Sequence, residues 1–329
     1  MATSLLLPSA LLLIGLALLV WSSDVFIDGA ASTAKHLDIS PLVIGVVVLG
    51  FGTSMPEVVV STLASLDGSP GLAIGNAVGS NIANIALVLG VTAIIAPIVV
   101  KSSILKRELP VLLIISLGAY ALVLDGSLDF HDGIILVITL VATMFWMIRA
   151  NKTMSITDPL ASETQSEIED IAEMSLKKAI SLLLGGLIIL MISAKMMVSG
   201  AVDIAQFFEV PDVVIGLTII AIGTSLPELA AAIAAARKNE ADLMIGNIVG
   251  SNLFNIMAVL AVPALIAPSV LNSDILYIDM PIMLLLTAAM LMMALPRKGR
   301  ADINRLEGAL LVGTFISFLV LLYFRNIAT

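Results

Sequence analysis

Gly52-Thr53-Ser54-Met55-Pro56-Glu57 lies inside a long apolar run, where a proline and a carboxylate are both unwelcome. The stretch returns 171 residues later as Gly223-Thr224-Ser225-Leu226-Pro227-Glu228. A second pair keeps the same offset. Gly75-Asn76-Ala77-Val78-Gly79-Ser80-Asn81-Ile82-Ala83-Asn84 is matched by Gly246-Asn247-Ile248-Val249-Gly250-Ser251-Asn252-Leu253-Phe254-Asn255. Val43-Ile44-Gly45 and Ala96-Pro97 recur as Val214-Ile215-Gly216 and Ala267-Pro268, and between these limits roughly half the positions are identical. The chain therefore contains two copies of one unit.

Composition names the solvent. Hydrophobic residues make up 59% of the 329, charged residues 12%, and mean hydropathy is +1.11. Soluble domains are about half apolar and a quarter charged. Long continuous apolar runs, rather than short alternating ones, indicate an all-α polytopic membrane protein and not a β-barrel. The absence of cysteine excludes disulfides and thiolate metal sites. The net charge of −9 is spread over loops and buried positions, which argues against a nucleic-acid surface. No basic segment precedes the first apolar run, so 5–22 reads as a retained span.

At roughly 20 apolar residues per span, the sequence predicts ten transmembrane helices, near 5–32, 40–65, 72–98, 108–125, 131–149, 178–206, 211–236, 242–267, 275–295 and 304–324. Residues 1–149 form the first five-helix repeat, 150–176 a polar linker, and 177–329 the second five-helix repeat. Five is odd, so the second unit starts on the opposite side of the membrane, giving two inverted-topology repeats. The linker, rich in acidic residues, reads as a solvated connector or as a regulatory ion-binding segment.

Loop charge sets the orientation. Lys35, Lys101, Lys106, Arg107, Arg149, Lys152, Lys177, Lys178, Arg237, Lys238, Arg297, Lys298, Arg300 and Arg305 fall in loops on one side, fourteen of the sixteen basic residues. Basic residues accumulate on the cytoplasmic side. Both termini are therefore predicted outside, with the linker in the cytoplasm.

Glu57 and Glu228 carry the chemistry. A charged side chain at the bilayer centre costs at least ~2.5 kcal/mol, and Lys195, the one intramembrane base, cannot balance two acids. A bound cation or protons can; a protonated, hydrogen-bonded pair tying helices together is the structural alternative. Pro56 opens the turn before it and frees the carbonyl of Gly52, with Gly50 and Phe51 adjacent. Thr53 and Ser54 lie four and three residues before Glu57, so their hydroxyls are expected on its helix face. Carboxylate, hydroxyl and carbonyl oxygens are hard ligands, suited to Ca²⁺ or Na⁺ and not to zinc or copper. Ser80 and Asn84, again four apart, supply a facing wall, while Asn76 and Asn81 read as polar links between helices. Two carboxylates match one Ca²⁺, or several Na⁺ or H⁺ in turn, and competition for one site with alternating exposure is antiport.

These residues resemble the Ca²⁺:cation antiporter superfamily, in particular its prokaryotic sodium/calcium exchanger family. The paired G-T-S-x-P-E and G-N-x-V-G-S-N-x-x-N segments look like the family's two α-repeats, and the resemblance covers essentially the whole chain. It implies cation ligands at Thr53, Ser54, Glu57, Ser80 and Asn84, and at Thr224, Ser225, Glu228, Ser251 and Asn255. Backbone carbonyls at Gly50 and Ala221 are implied as well. It implies a sliding first and sixth span, here carrying Gly29-Ala30 and Gly200-Ala201, in a chain working as a monomer in a prokaryotic inner membrane. Ca²⁺ and Na⁺ (or H⁺) would be substrates, with no cofactor. One departure stands out. Many sodium/calcium exchangers carry Asp where this chain has Asn255, or at the matching place in the first repeat. With Asn84 and Asn255 both neutral, the Na⁺ count and any K⁺ dependence lose a carboxylate. A carboxyl in an apolar setting also takes up protons readily, so H⁺ is the second counter-ion.

Asp24 and Lys195 occupy equivalent places and could pair across the pseudo-twofold axis, or snorkel to water. Asp28 and Asp203 could line a vestibule. A cation channel on the same repeat is a second reading, but no ring of acidic residues supports it. An enzyme is not indicated: His36 and His131 read as loop residues, and no His pair, nucleophile–base arrangement or phosphate loop is present.

Overall fold

The computed structural model describes residues 2–99, 105–154, 174–209, 221–295 and 302–327. It is helical nearly throughout. Among the described residues, eight helices are long and apolar enough to cross a membrane. In chain order they are α1 (Ala2–Leu37), α2 (Pro41–Leu66), α3 (Pro70–Ile95), α5 (Phe130–Met154), α6 (Leu176–Phe207), α8 (Ala241–Ile266), α9 (Ile275–Ala294) and α10 (Arg305–Ile327). Helices also stand where the other two spans were expected. α4 (Leu105–Leu122) opens with Lys106, Arg107 and Glu108, which shortens its apolar stretch. α7 is described in two pieces, Ala221–Thr224 and Leu226–Arg237, and 210–220 lie outside the described residues, as does most of the linker.

α2, α3 and α8 form the interior. More than half of the apolar stretch of each is buried, against about a quarter for α1 and α6. At 1.5 Å per residue, α1 and α6 run about 54 and 48 Å, well beyond a ~30 Å hydrocarbon core. They pack on each other along their length. A Cβ on Gly15 would sit 2.8 Å from the Met197 nitrogen, and one on Gly186 would sit 2.8 Å from the Phe26 nitrogen. Both contacts map onto each other under the 171-residue offset. So do Gly29 against Leu183 and Gly200 against Leu12. The low-numbered end of each helix meets the high-numbered end of the other, so the pair is antiparallel. Small residues allow this backbone approach, as is usual where lipid gives helices no hydrophobic reason to associate.

Two short antiparallel ribbons tie the loops. β1 (Ile98–Val99) pairs with β4 (Asp302–Ile303), and β2 (Ser127–Leu128) pairs with β3 (Ser269–Val270). Each ribbon joins loops that the charge distribution assigns to one side: the first to the basic side, the second to the other. At the second side, Arg325 near the end of α10 holds Asp274, just before α9, at 2.8 Å and Asp279 on α9 at 2.7 Å, closing α10 onto the body.

Candidate functional site

α2 is helical to Thr53, interrupted at Ser54 with ψ near 4°, and helical again from Met55. Ser225 repeats this geometry with φ −88° and ψ 6°. The interruption lies within the turn between Gly52 and Pro56, the turn that the sequence expects the proline to open. The physical reason is that Pro56 and Pro227 then occupy the first turn of a new half-helix, where a missing N–H costs nothing. Glu57 and Glu228 fall in that same first turn, at the positive end of the half-helix. Both are 1% exposed, and Ser54, three residues before Glu57, reaches Glu228.

The facing walls are α3 and α8. Asn76, Ser80 and Asn84 recur every fourth residue, as do Asn247, Ser251 and Asn255, so each set lines one helix face. At Asn84 and at Asn255 the α-helix gives way to a π-helical turn, Asn84–Leu89 and Asn255–Val259. Such turns loosen the local carbonyl ladder and are frequent at functional sites. Gly50 and Gly250 let α2 and α8 meet backbone to backbone: a Cβ on Gly50 would lie 2.6 Å from the Gly250 Cα.

The links between these elements cross from one repeat to the other. The Ser54 hydroxyl donates to Glu228 Oε1 at 3.4 Å. Thr53 Oγ1 lies 3.0 Å from the Leu49 carbonyl, 3.2 Å from Asn247 Oδ1 and 3.2 Å from Ser251 Oγ. Ser251 Oγ also reaches the Gly50 carbonyl at 3.4 Å. Both hydroxyls, expected on the helix face of Glu57, bond across to the second repeat. Asn76 does link helices, donating to the Glu57 carbonyl at 3.1 Å and to Ser61 Oγ at 3.0 Å, whereas Asn81 donates to Ala77 on its own helix.

What is left unpartnered is informative. Oε2 of Glu57, Oε2 of Glu228, Ser225 Oγ and both amide atoms of Asn84 and of Asn255 have no hydrogen-bond partner among the described residues. Each such group costs about 1–3 kcal/mol in a dry interior. Ser80 and Ser251 are buried in the same walls, at 5% and 0% exposure. Thr224 is partly buried, and the Ala221 side chain lies outside the described residues. Among the described residues no three His, Cys, Asp or Glu side chains cluster around a point. The oxygen set is thus two carboxylates among neutral donors.

Other expectations fare differently. Lys195 is exposed and makes no ion pair with Asp24 among the described residues. Instead Lys238 Nζ takes the Asp24 carbonyl at 3.2 Å and the Asp28 carboxylate at 2.6 Å. His36 and His131 are not loop residues: one ends α1, the other begins α5, and both are exposed. Sequence reasoning missed the second bond of Asn247, to Thr53. It missed the Asp279–Arg325 pair too, since nothing local in sequence joins residues that far apart.

Two interrupted helices, each with a buried acid just after its break and joined by the Ser54–Glu228 bond, define a class of helical membrane protein with a polar centre. The comparisons with known proteins narrow this. The model of the sodium/calcium exchanger protein family matches residues 7–149 and 178–324. The chain is 43% identical over 97% of its length, and 99% of the relative's, to CaxA of Alkalimonas amylolytica, an antiporter by name. It is 40% identical to the inner membrane protein YrbG of Escherichia coli K12, covering 98% of each. A solved structure of the sodium-calcium exchanger NCX_Mj superposes with a TM-score of 0.80 at 32% identity, over 99% of each chain. The chain belongs to the sodium/calcium exchanger family.

Proposed function

We propose that this protein is a secondary antiporter that exchanges Ca²⁺ for Na⁺ by alternating access at one midplane site. Glu57 and Glu228 supply the charge, and Thr53, Ser54, Ser80, Asn84, Thr224, Ser225, Ser251 and Asn255 supply neutral oxygens. The carbonyls of Gly50 and Ala221 complete the set. The observation that carries the reading is the group of buried, unpartnered oxygens at the two helix breaks, which a cation would satisfy. The chemistry is charge matching: one divalent ion neutralises two carboxylates, and monovalent ions replace it stepwise. The ten-span plan with two inverted repeats belongs to this reading, supported by the 171-residue offset of the α1–α6 contacts; the outward termini, which rest on loop charge, and the inner-membrane setting belong to it as well. So does action as a single chain.

H⁺ is the second counter-ion, favoured by one feature: both wall residues, Asn84 and Asn255, are neutral, which leaves only two carboxylates to hold monovalent cations. Proteoliposomes loaded with Ca²⁺ and given a Na⁺ gradient or a pH gradient separate the two. Na⁺-driven Ca²⁺ flux without a response to pH supports the first reading, and the reverse supports the second.

A further inference from the structure

Asn76 and Asn247 stand at equivalent positions and bond to equivalent atoms. Asn76 Nδ2 donates to the Glu57 carbonyl at 3.1 Å, and Asn247 Nδ2 donates to the Glu228 carbonyl at 3.4 Å. Each bond runs from a wall helix to the half-helix that carries the carboxylate. Each Asn lies one turn before the wall serine, Ser80 or Ser251, and two turns before the wall asparagine. The bond therefore fixes the height of each glutamate along the facing row of oxygens.

Asn247 goes further. It is fully buried, and its Oδ1 accepts from Thr53 Oγ1 at 3.2 Å. One amide thus spans both repeats, holding the Glu228 turn with its nitrogen and the Thr53 hydroxyl with its oxygen. The first repeat settles its own amide differently. Ser61 takes a second bond from Asn76, and the matching residue in the second repeat is Ala232, which offers no hydroxyl.

From this juxtaposition we propose that Asn76 and Asn247 are positioning residues that set the spacing of the cation site, Asn247 the more stringent because it also holds Thr53. Neither touches the cation. They act through the backbone carbonyl of each glutamate, and through one hydroxyl. The inference rests on the exchange reading given above, and deepens it by assigning size discrimination between divalent cations. A site whose oxygens are pinned favours one ionic radius. Releasing the pin relaxes that preference toward the larger ion, because the walls are freer to part.

The test uses the full chain, purified in detergent and reconstituted in liposomes, with Ca²⁺ and Sr²⁺ as probes. Equilibrium binding of each ion is measured by calorimetry, and KM and kcat of flux are measured for each. Asn247→Ala is expected to change the Sr²⁺-to-Ca²⁺ affinity ratio at least fivefold in favour of Sr²⁺, with kcat for Ca²⁺ changed less than threefold. Asn76→Ala is expected to move the ratio the same way by a smaller factor. Asn247→Ser, which keeps one donor and one acceptor, is expected to recover part of the shift and serves where Asn247→Ala does not fold. A role confined to stability would lower the yield of binding protein while leaving the ratio unchanged; an unchanged ratio in folded Asn247→Ala would overturn the proposal, and where that variant does not fold, an unchanged ratio in both Asn76→Ala and Asn247→Ser would do so. No binding of either ion to the unsubstituted protein would instead overturn the exchange reading, and this inference with it.

Discussion

Ser54 and Glu228, 174 residues apart, are joined by a 3.4 Å hydrogen bond at the break of α2. A hydroxyl of the first repeat thereby serves the carboxylate of the second, so the second unit does not assemble its oxygens alone. Removing the hydroxyl takes one donor from a buried acid, where bonds to charged groups contribute about 1.5–3 kcal/mol at good geometry. At 3.4 Å the smaller end of that range applies. Ser54→Ala is expected to weaken Ca²⁺ affinity by about tenfold, with the protein still folded. Calorimetric titration of the purified variant checks this.

Glu57→Gln and Glu228→Gln keep shape and remove charge. One remaining carboxylate cannot neutralise a divalent ion, so each change is expected to abolish Ca²⁺ exchange. A ligand that binds only the folded state raises its stability with concentration. The Ca²⁺-dependent rise in melting temperature expected of the unsubstituted protein should therefore vanish in both variants, although both remain folded without Ca²⁺. Thermal scans with and without Ca²⁺ distinguish loss of the site from loss of the fold.

Gly250 tests the close approach of α2 and α8. A Cβ there would lie 2.7 Å from the Val46 Cα, against backbone that cannot turn aside. Overpacking of this kind costs about 1–3 kcal/mol. Gly250→Ala is expected to lower the melting temperature of the protein in detergent. Gly118→Ala, on α4 with nothing within 4 Å of a new Cβ among the described residues, is expected to leave it unchanged.

The ion pair between Lys238 and Asp28 has no twin. The matching positions are Asp67 and Ser199, which cannot form one. It holds α1 where α1 packs along the second half of α7, and there Leu226, Pro227 and Glu228 are all buried. Met55 and Pro56, their counterparts on α2, are only partly buried. Breaking the pair should let α1 and α6 shift toward α2. With side chains 28% and 51% exposed, the effect is worth at most about 1 kcal/mol, or roughly fivefold in a two-state equilibrium. The chain has no cysteine, so a single Val58→Cys reports directly. Its labelling rate by a water-soluble thiol reagent is expected to fall by up to fivefold when Lys238→Met is added.

Much of this is legible in the sequence alone. The 171-residue offset announces the two units, and a glutamate beside a proline in apolar surroundings announces the site. Helix direction and loop charge are local properties, so the ribbons join loops that the sequence assigns to common sides. What stays hidden depends on distance or on small differences between copies. The reach of Thr53 to Asn247, the Lys238–Asp28 pair and the Arg325 cluster join residues with no shared periodicity. Lys106 and Arg107 count as loop charge ahead of the fourth span when only composition is weighed. In the fold they belong, with Glu108, to the first turn of α4, which leaves its apolar stretch short.

Counter-ion-driven flux tests the central claim most directly. Proteoliposomes containing the full chain are loaded with Ca²⁺ and diluted into buffer with or without Na⁺, at equal and at unequal pH. Ca²⁺ release is expected to depend on external Na⁺ and to be absent from Glu57→Gln. Release that is independent of both Na⁺ and the pH gradient, or that persists in Glu57→Gln, would contradict that claim.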